Sequence, residues 1–158
     1  MSSSPPPDPW FKDGLRFSCT QCGNCCTGGP GAVWYTADEG RAIAATLGLT
    51  DAEFESRYTR AIGHRRSLNE TETSHGFDCV FLDRASKPGV ALCRIYKSRP
   101  SQCETWPFWP DNLRSARAWT AAKSRTPCPG MDTGQLIPSD QIRIMRERDR
   151  ADNDSAPW

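Results

Sequence analysis

Cys19, Cys22, Cys25 and Cys26 fall within eight positions, in the stretch SCTQCGNCC. A Cys-x-x-Cys turn aims two thiolates and the intervening backbone N–H groups at one point, which suits a tetrahedral metal or one face of a cluster. Here two such pairs overlap as C-x2-C-x2-C, and a fourth cysteine follows at once. Cys79, Cys93, Cys103 and Cys128 lie downstream and bring the total to eight. Soft thiolate donors in this number point to zinc or to an iron–sulfur cluster. Eight of them fill two four-ligand sites, or one site with spares. The run with a remote Cys128-Pro129 echoes the ligands of a [4Fe–4S] cluster in bacterial ferredoxins. On that echo Cys19, Cys22, Cys25 and Cys128 form one group and Cys26, Cys79, Cys93 and Cys103 the other. Adjacent side chains such as Cys25 and Cys26 point apart in extended chain, which favours two neighbouring sites. Zinc held by four thiolates satisfies the same spacing.

Other side chains near the cysteines have weaker claims. His64 and His75 are available donors, but with eight thiols present they are expected to be exposed rather than ligating. Tyr96 and Arg99, beside Cys93 and Cys103, could donate to sulfur and tune a bound centre, or simply cap and pack. The chain shows no Ser/His/Asp set, paired-carboxylate motif, phosphate loop or dinucleotide fingerprint.

CTQCGNCC, CVFLD, CRIYKSRPSQCETWPF and PCPG together resemble the CxxCxxCC cysteine-cluster family, the YkgJ-like proteins described as zinc- or iron-chelating domains. The likeness runs from residue 17 to about 130, and its most specific part is C-x-I-Y-x-x-R-P-x-x-C-x-x-W-P-F. The resemblance implies metal binding through the cysteines and no settled reaction. A relative of the group is the flagellin lysine methylase. This chain has no glycine-rich strand-to-helix turn to cradle a nucleotide cofactor, so that activity does not carry over. Two function classes follow: an iron–sulfur centre with a redox role, as in an oxidoreductase, or a structural zinc module serving chelation or protein interaction without catalysis.

The chain that must position these residues is short and thinly apolar. Leu, Ile, Val and Phe are 23 of 158 residues, under the roughly 20% at which a chain struggles to bury enough surface. Six Trp and the cysteines must supply the rest. Twenty basic and 19 acidic side chains give a net charge of +1 with no long run of one sign, which argues against a nucleic-acid surface. No apolar run approaches the roughly 18 residues of a membrane span. MSSSPPPDPW has neither the basic nor the apolar region of a signal peptide, so a cytoplasmic location is expected. Reducing cytosol then disfavours a disulfide framework. The partner implied is a metal ion, with no nucleic acid or membrane expected and no protein partner identified.

The expected fold class is α+β: a small, irregular, metal-stabilised single domain with short helices and a small antiparallel hairpin. Residues 1–12 read as a disordered Pro/Ser tail, 13–150 as the cysteine-cluster domain, and 151–158 as a second tail. Capping boxes at Thr36–Glu39 and Thr50–Glu53 open two helices, ending at Gly48 and near Arg60. Strands are expected at Ala32–Tyr35, Phe77–Asp83, Gly89–Tyr96 and near ARAWTAA, with residues 64–73 as loop. The second and third would form a hairpin with Cys79 facing Cys93. Pro100 starts a short helix carrying Cys103, Cys128 sits on a turn, and SDQIRIMRERDR forms a last helix with Ile142 and either Ile144 or Met145 inward. The loop of residues 19–26 has almost no apolar side chains, so ligation is expected to order it.

Overall fold

The computed structural model describes residues 4 and 6–153. The described residues form six helices and four separate two-stranded antiparallel ribbons, an α+β domain as the sequence predicts. The ribbons pair β1 (Leu15–Phe17) with β8 (Met131–Ile137), β2 (Thr59–Ile62) with β3 (Arg65–Leu68), β4 (Glu70–Thr73) with β5 (Gly76–Cys79), and β6 (Leu82–Asp83) with β7 (Leu92–Cys93). None of the helices described is long and apolar enough to cross a membrane.

Helices α1 (Ala37–Leu47) and α2 (Asp51–Tyr58) begin at the two capping boxes, with both reciprocal bonds formed in each. Gly48 ends α1 at φ 69°, a conformation that favours glycine. Helix α2 stops at Tyr58, short of Arg60, because Thr59 is already extended and starts β2. Ile43, Ala44 and Phe54 from these helices bury themselves with Leu68, Phe81 and Ile95 in one core cluster. The second core is built on aromatics: Phe11, Trp106, Phe108 and Trp119 pack with Met131 and Ile142. Phe108 and Trp119 stack at 5.7 Å. Two indoles find acceptors, that of exposed Trp10 donating from Nε1 to the Leu113 carbonyl and that of half-buried Trp109 to the Gln102 carbonyl. Large amphipathic rings thus make up for the scarcity of aliphatic side chains.

Several expected elements differ. Ala32–Tyr35 is not a strand: Trp34 bridges only Ser67, and its N–H goes to Gln102 Oε1 instead of a ladder. Residues 64–73 are not loop; after the turn at Gly63 and His64 they form β3 and all of β4. Only Ser67 and Leu68 are buried there, so the apolar alternation that marks a strand is missing. Phe77–Asp83 breaks at Val80 and Phe81 into β5 and β6: the Val80 N–H still donates to the Asn69 carbonyl, but the Asn69 N–H goes to the Tyr58 carbonyl instead of returning the bond. Gly89–Tyr96 shrinks to the two residues of β7. Consequently Cys93 faces Leu82, while Cys79 faces Glu70 on another ribbon. ARAWTAA is helix α5 (Ala116–Arg125): alanine-rich sequence favours it, and the Ser115 hydroxyl caps it by accepting from the Ala118 N–H.

Helix α6 (Ser139–Asn153) buries Ile142 and half-buries Met145, leaving Ile144 67% exposed. The packed chain also starts before residue 13, since Phe11 is 2% exposed. The second tail starts later than residue 151, since α6 runs to Asn153; residues 1–3, 5 and 154–158 of the predicted tails lie outside the described residues.

Candidate metal centre

The cysteine loop leaves β1 at Ser18, whose N–H donates to the Gly130 carbonyl while its hydroxyl accepts from the Gln135 N–H. Gln21 then accepts from the Ala91 N–H at 2.8 Å. Gly23 has φ 77°, and a Cβ there would stand 2.6 Å from the Ala91 Cβ, so only glycine lets the loop lie this close to the lead into β7. The Asn24 amide donates to the Pro127 carbonyl at 2.6 Å. At the exit, the Gly28 carbonyl accepts from the Phe77 N–H at 2.7 Å, and the Gly31 N–H donates to Glu70 Oε1 at 2.9 Å. Hydrogen bonds to β8, to Ala91 ahead of β7, to the Cys128 turn and to the β4–β5 ribbon therefore hold the loop in place.

The last three residues of this segment, Asn24–Cys26, form one 3₁₀ turn closed by the Cys26 N–H on the Gly23 carbonyl. That turn corrects the expectation that Cys25 and Cys26 point apart: they are not in extended chain, and their Sγ atoms lie 3.7 Å from each other. The N–H groups two residues beyond Cys19 and Cys22 approach the sulfurs, Gln21 N at 3.4 Å from Cys19 Sγ and Asn24 N at 3.5 Å from Cys22 Sγ.

Helix α3 (Ser101–Glu104) brings Cys103 in from the opposite side. Its first N–H, on Ser101, donates to Glu39 Oε1 at 2.8 Å, so the carboxylate that closes the α1 capping box also fixes the start of α3. The Gln102 amide spans Ala32 and Trp34, donating to the first carbonyl and accepting from the second N–H. With β5 and β7 supplying Cys79 and Cys93, one cavity results.

Six of the eight cysteines line that cavity: Cys19, Cys25, Cys26, Cys79, Cys93 and Cys103. Cys22 and Cys128 do not, and Cys128 packs instead against the aromatic core. The cavity measures about 100 Å³, several times the roughly 10–15 Å³ that one water requires. Its remaining wall is apolar, with Phe81, Leu82, Ile95, Trp106 and Trp109 among the lining residues. All eight cysteines are free thiols. Among the described residues no three His, Cys, Asp or Glu side chains are drawn together as a finished ligand set. The thiols face a common space without converging on a point.

Their electrostatics show how near they are to one another. Burial pushes the Cys79 thiol up to about 11, and Cys93, Glu70 and Asp78 add to it. Burial raises Cys93 too, with Cys25 contributing, and it raises Cys103 further, with Cys79, Cys25 and Cys93 all opposing its ionisation. Cys25, which is exposed, is raised first by its contact with Cys26. Cys103 is thus opposed by Cys79, Cys25 and Cys93, while Cys79 is linked with Cys93 and Cys93 with Cys25. This grouping differs from the ferredoxin-like partition, which assigned Cys25 to Cys128: spacing along the chain does not reveal that the turn at Cys25 faces β5, β7 and α3.

Arg99 is the only basic residue in the lining. Its guanidinium lies 3.9 Å from the centre of the Tyr96 ring, and Nε donates to the Tyr96 carbonyl at 3.0 Å. No Arg99 N–H reaches a sulfur, but its charge favours the ionised forms of Cys25, Cys93 and Cys103. Arg84, by contrast, is engaged by Asp78 through bonds of 2.8 and 3.0 Å. His64 and His75 are both exposed, and neither lines the cavity.

One wall residue went unrecognised in the sequence. Trp106 is 8% exposed, and its Nε1 is buried with no hydrogen-bond partner. A buried donor left unmet costs about 1–3 kcal/mol, and its place beside the thiols fits a site built to receive an acceptor. The motif C-x-x-W-P-F carried the signal, since Trp106 follows Cys103 by three residues. The donor chemistry as a whole, soft thiols in an apolar cavity with one cation, fits zinc or an iron–sulfur cluster.

Comparison with known proteins agrees with the donor set. The family model CxxCxxCC, described as "Putative zinc- or iron-chelating domain", matches residues 18–129. The chain belongs to this family. A curated relative, "Uncharacterized protein MJ0661" of Methanocaldococcus jannaschii, is 32% identical over 99 residues, which is 62% of this chain and 48% of that protein. The chain spans about half the length of that relative. No solved structure matches.

Proposed function

We propose that this member of the CxxCxxCC family is a metal-binding protein whose centre assembles in the thiol-lined cavity, holding zinc or an iron–sulfur cluster through its cysteines. The observation that carries this reading is that six cysteines from four separate segments line one cavity. A fold that merely needed small buried side chains would have no reason to gather them. Cys25, Cys79, Cys93 and Cys103 form the core of the ligand set, with Cys19 and Cys26 as neighbours able to complete it. Arg99 balances part of the charge these thiolates carry. Cys22 and Cys128, which do not line the cavity, would join only through a second site. Bound iron–sulfur would supply electron transfer, whereas four-coordinate zinc would be structural.

The identity of the centre is tested by purifying the chain without oxygen, recording its visible spectrum and measuring zinc, iron and sulfide. Broad absorption with matching iron and sulfide establishes a cluster and a redox role. Colourless protein with stoichiometric zinc establishes the non-catalytic chelating or interaction module. Protein that holds neither metal, and takes up none when supplied, overturns the reading.

A further inference from the structure

The buried indole N–H in the cavity wall calls for an acceptor. Trp106 is held firmly: its ring meets Trp109 edge-on at 4.8 Å, and it belongs to the aromatic core with Phe108 and Trp119. Three other indoles with described N–H bonds, those of Trp10, Trp109 and Trp119, each reach an oxygen within 2.9 Å. Trp106 Nε1 reaches none, although its ring stands in the same wall as the six cysteines. Buried donors in folded proteins are almost always satisfied, and an exception calls for an explanation, a functional role or a bound group among them. The chemistry available beside it is sulfur. A ligating thiolate is a far better acceptor than a thiol because it carries the negative charge, and hydrogen bonds to cluster or ligand sulfur tune the affinity and potential of metal centres.

We propose that Trp106 is a positioning residue of the metal centre, its Nε1–H donating to a cysteine sulfur once that sulfur ligates the metal. The inference rests on the reading of the cavity as a metal centre. Among the described residues the thiols line the cavity without converging on a point. Drawing them onto a cation moves sulfur and gives it charge, and the waiting donor then gains a partner. Trp106 would thereby favour the loaded arrangement without touching the metal.

The test uses the full chain, uniformly labelled with nitrogen-15, under reducing anaerobic conditions with zinc as the probe. The six tryptophans give six indole N–H signals at most, and Trp106→Phe, which keeps an aromatic ring and removes the donor, identifies one of them. Should that variant not fold, sequential assignment of the wild-type spectrum identifies the same signal. On loading with zinc the Trp106 indole proton is expected to move downfield more than those of the other tryptophans and to exchange with solvent more slowly. Trp106→Phe, where folded by circular dichroism, is expected to bind zinc about 10- to 100-fold more weakly. An unmoved Trp106 signal in protein shown by elemental analysis to be loaded overturns the inference and leaves the metal centre standing. Failure of the wild-type chain to take up any metal overturns the metal centre and the inference with it.

Discussion

Gly23→Ala probes the joint between the cysteine loop and the rest of the cavity. Two costs add. The backbone at Gly23 has φ 77°, a left-handed conformation that costs an alanine roughly 1–2 kcal/mol. The new methyl would also stand 2.6 Å from the Ala91 Cβ, and overpacking of this kind costs about 1–3 kcal/mol. The expected loss is about 2–5 kcal/mol, a large part of the roughly 5–15 kcal/mol that holds an ordinary domain. Ala91→Gly alone should cost about 1 kcal/mol for one buried methyl and added chain freedom. In the double variant the clash disappears while the backbone strain remains, so the two changes should couple favourably by about 1–3 kcal/mol. Urea unfolding of the four proteins, followed by circular dichroism, closes the cycle. A Gly23→Ala loss below about 0.5 kcal/mol, or a coupling of zero, would refute the close approach of loop and strand.

Three further outcomes follow from particular contacts. Asp78 is 5% exposed and paired with Arg84; Asp78→Asn should cost about 2–3 kcal/mol, less than a fully buried pair because Arg84 remains partly in solvent. The Arg84 bond holds the Asp78 carboxyl below its ordinary value, so its stabilisation is present above the ordinary aspartate range and is lost as pH falls through the lowered value; acid unfolding of Asp78→Asn should lack that component. Glu39→Ala should destabilise more than Glu53→Ala, although both close capping boxes, because Glu39 alone also accepts from buried Ser101; the difference in thermal unfolding should correspond to about 1–3 kcal/mol. Arg99→Gln should weaken zinc binding about tenfold or more while Arg99→Lys retains most of it, and an equal loss in both, read by competition with a chelator, would show that Arg99 is needed for shape rather than charge.

The local signals were legible where they were covalently close. Both capping boxes, the stop at Gly48 and the helix carrying Cys103 are set by residues within one turn of each other, so the sequence declares them. The ribbons were not, because β3 and β4 are polar two-stranded elements with one face hardly buried, and period-two alternation fades without a core to enforce it. ARAWTAA reads both ways until Ser115 is recognised as a cap. The cysteines showed the same divide. Their chemistry is declared by type and spacing, yet the grouping of Cys25 with Cys79, Cys93 and Cys103 depends on where the 3₁₀ turn and three distant elements meet. Trp106 looked like packing because an unmet hydrogen bond exists only in three dimensions.

The central claim, that these thiols converge on a metal, is tested most directly by the metal content of Cys103→Ser beside wild type and Ile144→Ala, a change on the exposed face of α6. Serine keeps the size but is a far poorer ligand, its hydroxyl being much harder to ionise than a thiol. Purified without oxygen and analysed for zinc and iron, wild type and Ile144→Ala should carry the same full complement and Cys103→Ser less than about half of it. Undiminished metal in folded Cys103→Ser would contradict the claim.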